Sequence, residues 1–451
     1  MEIRKTINRF FYGLWKDVSI APLVIFRIAF GVMMFCGMLR FWGKGWIEAL
    51  YIKPQFFFTY YGFEWVRPLG ATGMYVVFAL LALSSLFIAL GFLYRYSSIL
   101  FFVLFTYVEL IDKTNYLNHY YFISIVSMLL CVLPAAADFS LDVRLGLTSR
   151  LQQVPRWSIL TLQLQMAVVY FFAGVAKVNY DWLFNAMPLK LWLPSKQEVF
   201  LLGDIVSQPW AAWLFSWAGM LFDVGIAFFL FNRKTVWWAY AAVVVFHVLT
   251  AILFPFIGMF PFVMIVCATV FLPATFHARL LSPFRRVESA VQSVAFGKTQ
   301  AYRVVIAMLF IHFIIQVLLP FRHALYPGKL FYSEEGFRFS WRVMLMEKGG
   351  CVFFHVKDAA SGKTYEVNNR DYLTMQQEKQ MSTQPDMILQ FAHHLRNVYS
   401  ERMNTQKVEV YAEAYVTLNG RSSTLMLDPT VNLAEERDGF SHKNWIIAAA
   451  Y

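Results

Sequence analysis

Nine apolar runs separated by short polar breaks set the pattern of the first 320 positions. They cover about Ile20–Leu39, Gly73–Phe92, Ser97–Ile111, Tyr120–Ala136, Ser158–Lys177, Pro209–Phe231, Val236–Phe254, Gly258–Leu272 and Tyr302–Leu319. Most approach the roughly 17–25 residues that a helix needs to cross a bilayer, and Gly258–Leu272 is short. The pattern predicts a polytopic α-helical membrane bundle of about eight or nine spans. Ahead of it, Met1–Val18 alternates aromatic and basic residues, as an interfacial amphipathic helix does. The first run has no small-residue cleavage site, so it reads as an uncleaved span.

Beyond Pro320 the period changes. Met344–Val356, Thr364–Asn368, Val408–Leu418 and Ser423–Leu427 alternate or carry β-branched residues. Gly349-Gly350 and Asn419-Gly420 are placed as turns. Pro385–Tyr399 has a helical period, with Ile388, Leu389, Phe391, Ala392 and Leu395 on its apolar side. The chain therefore divides into a bundle over 1–320 and a small α+β domain over 321–451, of ordinary single-domain size.

Composition excludes a soluble protein: 59% of the 451 residues are hydrophobic and 15% charged, with a mean hydropathy of +0.51. The net charge of +11 would suit nucleic acid, but the cations lie mostly in short loops between spans. That is the pattern of topology determinants, so no nucleic-acid partner is expected. With the N-terminus in the cytoplasm, Arg95, Arg144, Arg150, Arg156, Arg233-Lys234 and the Arg279–Lys298 connector all fall inside. The α+β domain, Asn118-His119, Lys177 and His247 then converge on the extracytoplasmic side.

These residues are the candidate chemistry. Lys177 closes the fifth run within YFFAGVAKVNYDW, where an amine is either snorkelling or functional. His119 precedes a span and suits an interfacial hydrogen bond, whereas His247 lies inside one and is a functional candidate by position. Asp223 reads as the structural partner of a bundle Arg or Lys. An aromatic content of 18% fits lipid-facing surfaces, interfacial belts or a cavity for a flat apolar ligand. The four cysteines lack paired spacing, and no HxxxH or HExxH occurs, so no metal is expected. GxSxG, P-loop and dinucleotide fingerprints are absent as well.

Three stretches, DKTNYLNHYYF, YFFAGVAKVNYDW and FHVLTAILFPFIGMF, resemble the vitamin K-dependent γ-glutamyl carboxylases, or HTTM-domain proteins. FRIAFGVMMF near the start and LLPFRHALYPG…EEGFRFSW after the last span extend the resemblance over most of the chain. It implies an integral membrane enzyme that couples oxygenation of vitamin K hydroquinone to carboxylation of protein glutamate. The co-substrates would be the hydroquinone, O2 and CO2; the partners would be a glutamate-containing protein or peptide and membrane quinone or lipid.

By motif matching, Lys177 corresponds to the base that acts on the hydroquinone, and His119 and His247 to active-site histidines. Asn118, Phe171, Phe172 and Asn179 stand beside these motifs as candidate cofactor-binding residues. Tyr332, Arg338 and Trp341, just past the last span, are candidates for holding the glutamate. For the base role Lys177 must meet the hydroquinone neutral, which apolar walls favour. Animal members carry a lysine where this chain has Ala176, and a much longer C-terminal region. Two alternatives remain at this point: an epoxidase without carboxylation, and a non-catalytic quinone- or lipid-binding protein. A transporter is disfavoured because no internal repeat is visible.

Overall fold

A computed structural model describes residues 13–284, 300–405 and 407–449. Most of the expected interfacial helix over Met1–Val18 and much of the basic connector lie outside these residues. Of the former, Asp17–Ser19 (β1) is an extended strand pairing antiparallel with Gln153–Pro155 (β2).

Each of the nine apolar runs contains a helix. Among the described residues, seven helical segments are long and apolar enough to cross a membrane: Ala21–Gly43 (α1), Gly70–Leu90 (α2), Tyr94–Ile111 (α3), Arg156–Ala176 (α5), Pro209–Phe231 (α6), Val236–Leu253 (α7), and Tyr302–Leu325, which includes most of Gln300–Leu318 (α10). The other two runs are shorter helices. Asn118–Val132 (α4) has 15 residues. Phe260–Ala268 (α8) continues through a tight turn to Ala274–Leu281 (α9), and the path bends by 105° between them. Pro273 lies between α8 and α9 and cannot donate to a continuing helix.

Close helix approach is built from small residues. A Cβ at Gly31 would stand 2.5 Å from Ala89 N, and one at Gly174 would stand 2.5 Å from Val224 N. α1 thus packs hard on α2, and α5 on α6, by the small-residue route common between membrane helices. Arg27, buried in α1, has a structural task. Its guanidinium donates to Ile88 O (2.8 Å) and Ala89 O (2.7 Å) in the last turn of α2 and to Phe139 O (2.6 Å), supplying donors where the helix's own run out. α2 ends at Gly91, whose φ of +64° favours glycine. Asp142 closes the same corner, accepting from Leu93 N and Tyr94 N at the start of α3. A buried ladder ties the thinly covered α10 to the bundle: Gln316 Nε2 donates to Tyr121 OH, and His312 Nε2 to Gln165 Oε1.

The C-terminal domain is a four-stranded antiparallel sheet, Lys348–Asp358 (β3), Thr364–Val367 (β4), Val408–Leu418 (β5) and Thr424–Leu425 (β6), ordered β4-β3-β5-β6. β5 alternates buried and half-buried residues along its whole length. Its buried face meets Pro385–Met403 (α12), whose Ile388, Leu389, Phe391, Ala392 and Leu395 enter the domain core. Asn419 and Gly420 both have positive φ, and Arg421 N donates to Leu418 O, closing the expected turn. Gly349-Gly350 instead lies inside β3, opposite Thr417 and Val416. A Cβ at Gly350 would meet Ser382 O at 2.8 Å, so close packing, not a turn, explains that glycine. One further helix, Met375–Met381 (α11), starts with a Thr374–Gln377 capping box.

The domain sits on one end of the bundle, fastened there by Lys113–Asp386 and Asp181–Arg421, with Arg338 reinforcing Asp386 from within the domain. Lys113 Nζ lies 2.8 Å and Arg338 Nη1 2.7 Å from Asp386 Oδ2. Farther along, Asp181 receives Arg421 at 2.5 Å and 2.8 Å and Asn419 at 3.0 Å. Burial alone would raise the Asp386 carboxyl, but Arg338 and Lys113 hold it well below the usual range. Asp181 is held down at about 2, chiefly by Arg421.

Candidate active site

Lys177 follows α5 as its C-cap, one turn after Gly174, where α5 and α6 press together. The side chain turns inward and does not snorkel: the residue is only 7% exposed. Its Nζ donates to Asp223 Oδ2 at 2.6 Å and to Ala173 O at 3.2 Å, and lies 5.4 Å from the centre of the Trp182 ring. Asp223, on α6, is as deeply buried. Trp182 is fixed in turn by Nε1 donating to Ser216 O at 2.8 Å.

This ion pair borders a largely apolar cavity of about 120 Å³. Val169, Tyr170, Ala173 and Lys177 come from the end of α5, Gly219 and Asp223 from α6, and Phe246, His247 and Leu253 from α7. Phe260 and Met264 of α8 close another side, and Val343 and Met344 cross over from the C-terminal portion. His247 Nε2 lies 3.0 Å from Tyr170 OH, while its Nδ1 is buried with no hydrogen-bond partner. Across Phe260 stands His119: the Phe260 ring is centred 5.6 Å from His247 and 6.2 Å from His119. His119 itself does not line the cavity.

An apolar chamber with one amine, one carboxylate and one orphaned imidazole nitrogen fits a flat aromatic ligand with a few polar oxygens. Its volume is near the roughly 150 Å³ of an apolar cavity known to admit benzene.

The remaining predicted residues are placed around this chamber, not in it. Asn118 Nδ2 donates to Arg342 O at 2.7 Å, so it positions the segment leading to Val343. Phe171 is 38% exposed, and Phe172 packs edge-on against Phe321. Asn179 caps a short turn, accepting from Trp182 N. Tyr332 is buried in the domain core, with its hydroxyl donating to Leu425 O at 3.1 Å. Trp341 is buried and stacks on Tyr121 with centroids 4.9 Å apart. Arg338 is bound to Asp386.

Tyr170, Phe260, Val343 and Met344 were not legible as site residues. Each is an apolar or aromatic residue among dozens, and none carries a spacing signal. Tyr170 was nearest to notice, inside the quoted YFFAGVAK stretch.

Among the described residues, seven to eight membrane-competent helices enclosing a lysine-bearing chamber beneath an α+β domain define a polytopic membrane protein with an extramembrane domain. The HTTM domain model matches residues 15–276, and the model described as the vitamin K-dependent gamma-carboxylase lumenal domain matches residues 301–450. The chain belongs to this vitamin K-dependent γ-carboxylase family. No solved structure matches it.

Proposed function

We propose that the protein is a vitamin K-dependent γ-glutamyl carboxylase that oxidises the hydroquinone in the chamber beside Lys177 and carboxylates glutamate in a protein or peptide. The observation that carries this reading is the buried Lys177–Asp223 pair on the wall of an apolar cavity, in a chain that both family models match. When bound, vitamin K hydroquinone supplies the oxygen-driven generation of a base strong enough for the glutamyl γ-carbon. The chain's own residues prepare that chemistry. Asp223 can take the proton of the Lys177 ammonium, and the resulting amine can accept the proton of a phenolic hydroxyl. Tyr170 orients His247, whose free Nδ1 is positioned to meet a second ligand oxygen. Phe246, Phe254, Phe260 and Met264 keep water out, which protects a strong base. A two-ring head group needs more room than the chamber holds, and the crossing Val343–Met344 segment is the element that would yield.

The reading also assigns the C-terminal domain and the chamber to the lumenal or extracytoplasmic side, as the name of the matched domain and the loop cations support. The ion pair favours one other reading: a lysine held charged by Asp223 binds a quinone without acting as a base.

Purified protein in nanodiscs, given vitamin K hydroquinone, O2, labelled bicarbonate and a glutamyl peptide, tests the proposal. Epoxide together with label in the peptide is expected. Epoxide without label would reduce the activity to an epoxidase, and quinone binding without oxygen uptake would leave only the binding reading.

A further inference from the structure

The junction between bundle and domain holds two arginines with no acidic partner among the described residues. Arg322 lies just past α10 and Arg342 in the segment that runs to Val343. None of their hydrogen bonds goes to a carboxylate. Arg322 Nη2 donates to Arg338 O at 2.7 Å. Arg342 Nη2 lies 2.8 Å from His323 Nδ1 and 3.4 Å from Pro320 O. The Nε of each is buried without a partner. Arg342 is only 7% exposed, and burial, then the Arg322 charge, pull its guanidinium down to about 10.

The surroundings sharpen this. Arg322 lines a polar pocket of about 130 Å³ beneath Tyr326 and Phe440. Lys113, Arg322, Arg338 and Lys443 face it, against the carboxylates Glu334, Glu335, Asp386 and Asp438; Arg342 reaches His323, the neighbour of Arg322 in the chain. Asp386 is taken by Lys113 and Arg338, Glu334 by Lys348, and Glu335 by His442. Asp438 turns to Gly439 N, and Lys443 Nζ donates to Gly439 O. Arg322 and Arg342 are the two junction arginines that meet no carboxylate among the described residues, and Lys443 Nζ likewise goes to a carbonyl. A buried cation without a counter-charge is costly, and a guanidinium fork matches a carboxylate in shape. Arg342 also adjoins Val343 and Met344 on the chamber wall, while Asn118, beside His119, grips its carbonyl.

We propose that Arg322 and Arg342 together form a carboxylate-binding site that takes the side chain of a glutamyl residue of the protein or peptide substrate. This rests on the carboxylase reading for the identity of the ligand. The site assigns to these two arginines the role that sequence position suggested for Arg338, which Asp386 already occupies.

The test uses the full-length protein in nanodiscs with two probes, a short glutamyl peptide and its glutaminyl counterpart. Wild-type protein should prefer the glutamyl peptide by about tenfold or more, the scale of a charge-assisted hydrogen bond. Arg342→Gln and Arg322→Gln should each bring the preference below about threefold, and Arg342→Lys should restore part of it. Hydroquinone binding, read by tryptophan quenching, should stay unchanged in all three. A melting temperature checks the fold, and if Arg342→Gln does not fold, the more accessible Arg322→Gln carries the test. Undiminished glutamyl preference in folded variants overturns the site. So does stabilisation by phosphatidylglycerol nanodiscs that the variants lose while peptide binding shows no Glu/Gln difference, because the anion would then be a lipid phosphate. Oxygen uptake with hydroquinone alone reports on the carboxylase reading separately: its absence from a protein that still selects glutamate would sink that reading and leave the arginine site standing.

Discussion

Gly174 and Val224 touch so closely that a methyl on Gly174 would lie 2.5 Å from Val224 N. Lys177 follows Gly174 by one helical turn and Asp223 directly precedes Val224, so this backbone contact sets the 2.6 Å ion pair. Gly174→Ala should therefore force α5 and α6 apart, at a cost of about 1–3 kcal/mol from overpacking. The melting temperature should fall, and epoxide formation should fall more steeply than the protein's capacity to bind hydroquinone.

Lys177→Ala should lower epoxide formation by about 10²–10⁴-fold, the usual worth of a positioned acid–base group. It also strands Asp223 as a buried charge, at about 3–5 kcal/mol. The double variant Lys177→Met/Asp223→Leu separates the two effects. Its thermal stability should recover most of that loss while turnover stays absent. Turnover returning along with stability would refute the base assignment.

Tyr170→Phe removes the hydroxyl that lies 3.0 Å from His247 Nε2. One neutral hydrogen bond is worth about 1 kcal/mol, or roughly fivefold in rate. A loss of that order in kcat, with the chamber still filled by a ring of the same shape, is the expected result. Steady-state kinetics of epoxide release would show it; an unchanged kcat would free His247 from this positioning.

Domain docking should weaken in acid. Asp181 is depressed to about 2 by Arg421, below the roughly 3.9 of an unfolded aspartate. A depressed carboxyl adds stability above the unfolded value and loses it as pH falls through the folded one. The melting temperature should thus decline between about pH 4 and pH 2. Asp181→Asn should flatten part of that decline, and added salt should mimic it because the pair is partly exposed.

Much of the fold was legible because membrane crossing leaves long, simple signals. All nine apolar runs became helices, and β5 begins and ends where alternation places it, at Val408–Leu418. What failed to show was geometry across elements. No spacing links Lys177 to Asp223, 46 positions away, or brings Met344 over a chamber built from α5–α8. Arg27 lies inside the first apolar run, and nothing in the residue string shows that it serves the end of α2, because carbonyls at a helix end are invisible there. Asn118 and Asn179 sit inside the diagnostic stretches, but their amides hold backbone in place. Phe171 and Phe172 share a motif with Lys177, and helical rotation points them away from the chamber.

Phe339, Trp341 and Met344 adopt left-handed backbone at φ +61°, +58° and +53°, a conformation that costs non-glycine residues of order 1–3 kcal/mol each. Trp341 anchors the strip on Tyr121, and Asn118 pins it at Arg342. Val343 and Met344 thus cover the chamber on a strip of costly backbone that is held in place from outside it, by Tyr121 and by Asn118. The roof of the chamber therefore belongs to the strip that joins the bundle to the domain, and one short stretch of chain serves as wall to the one and tether to the other.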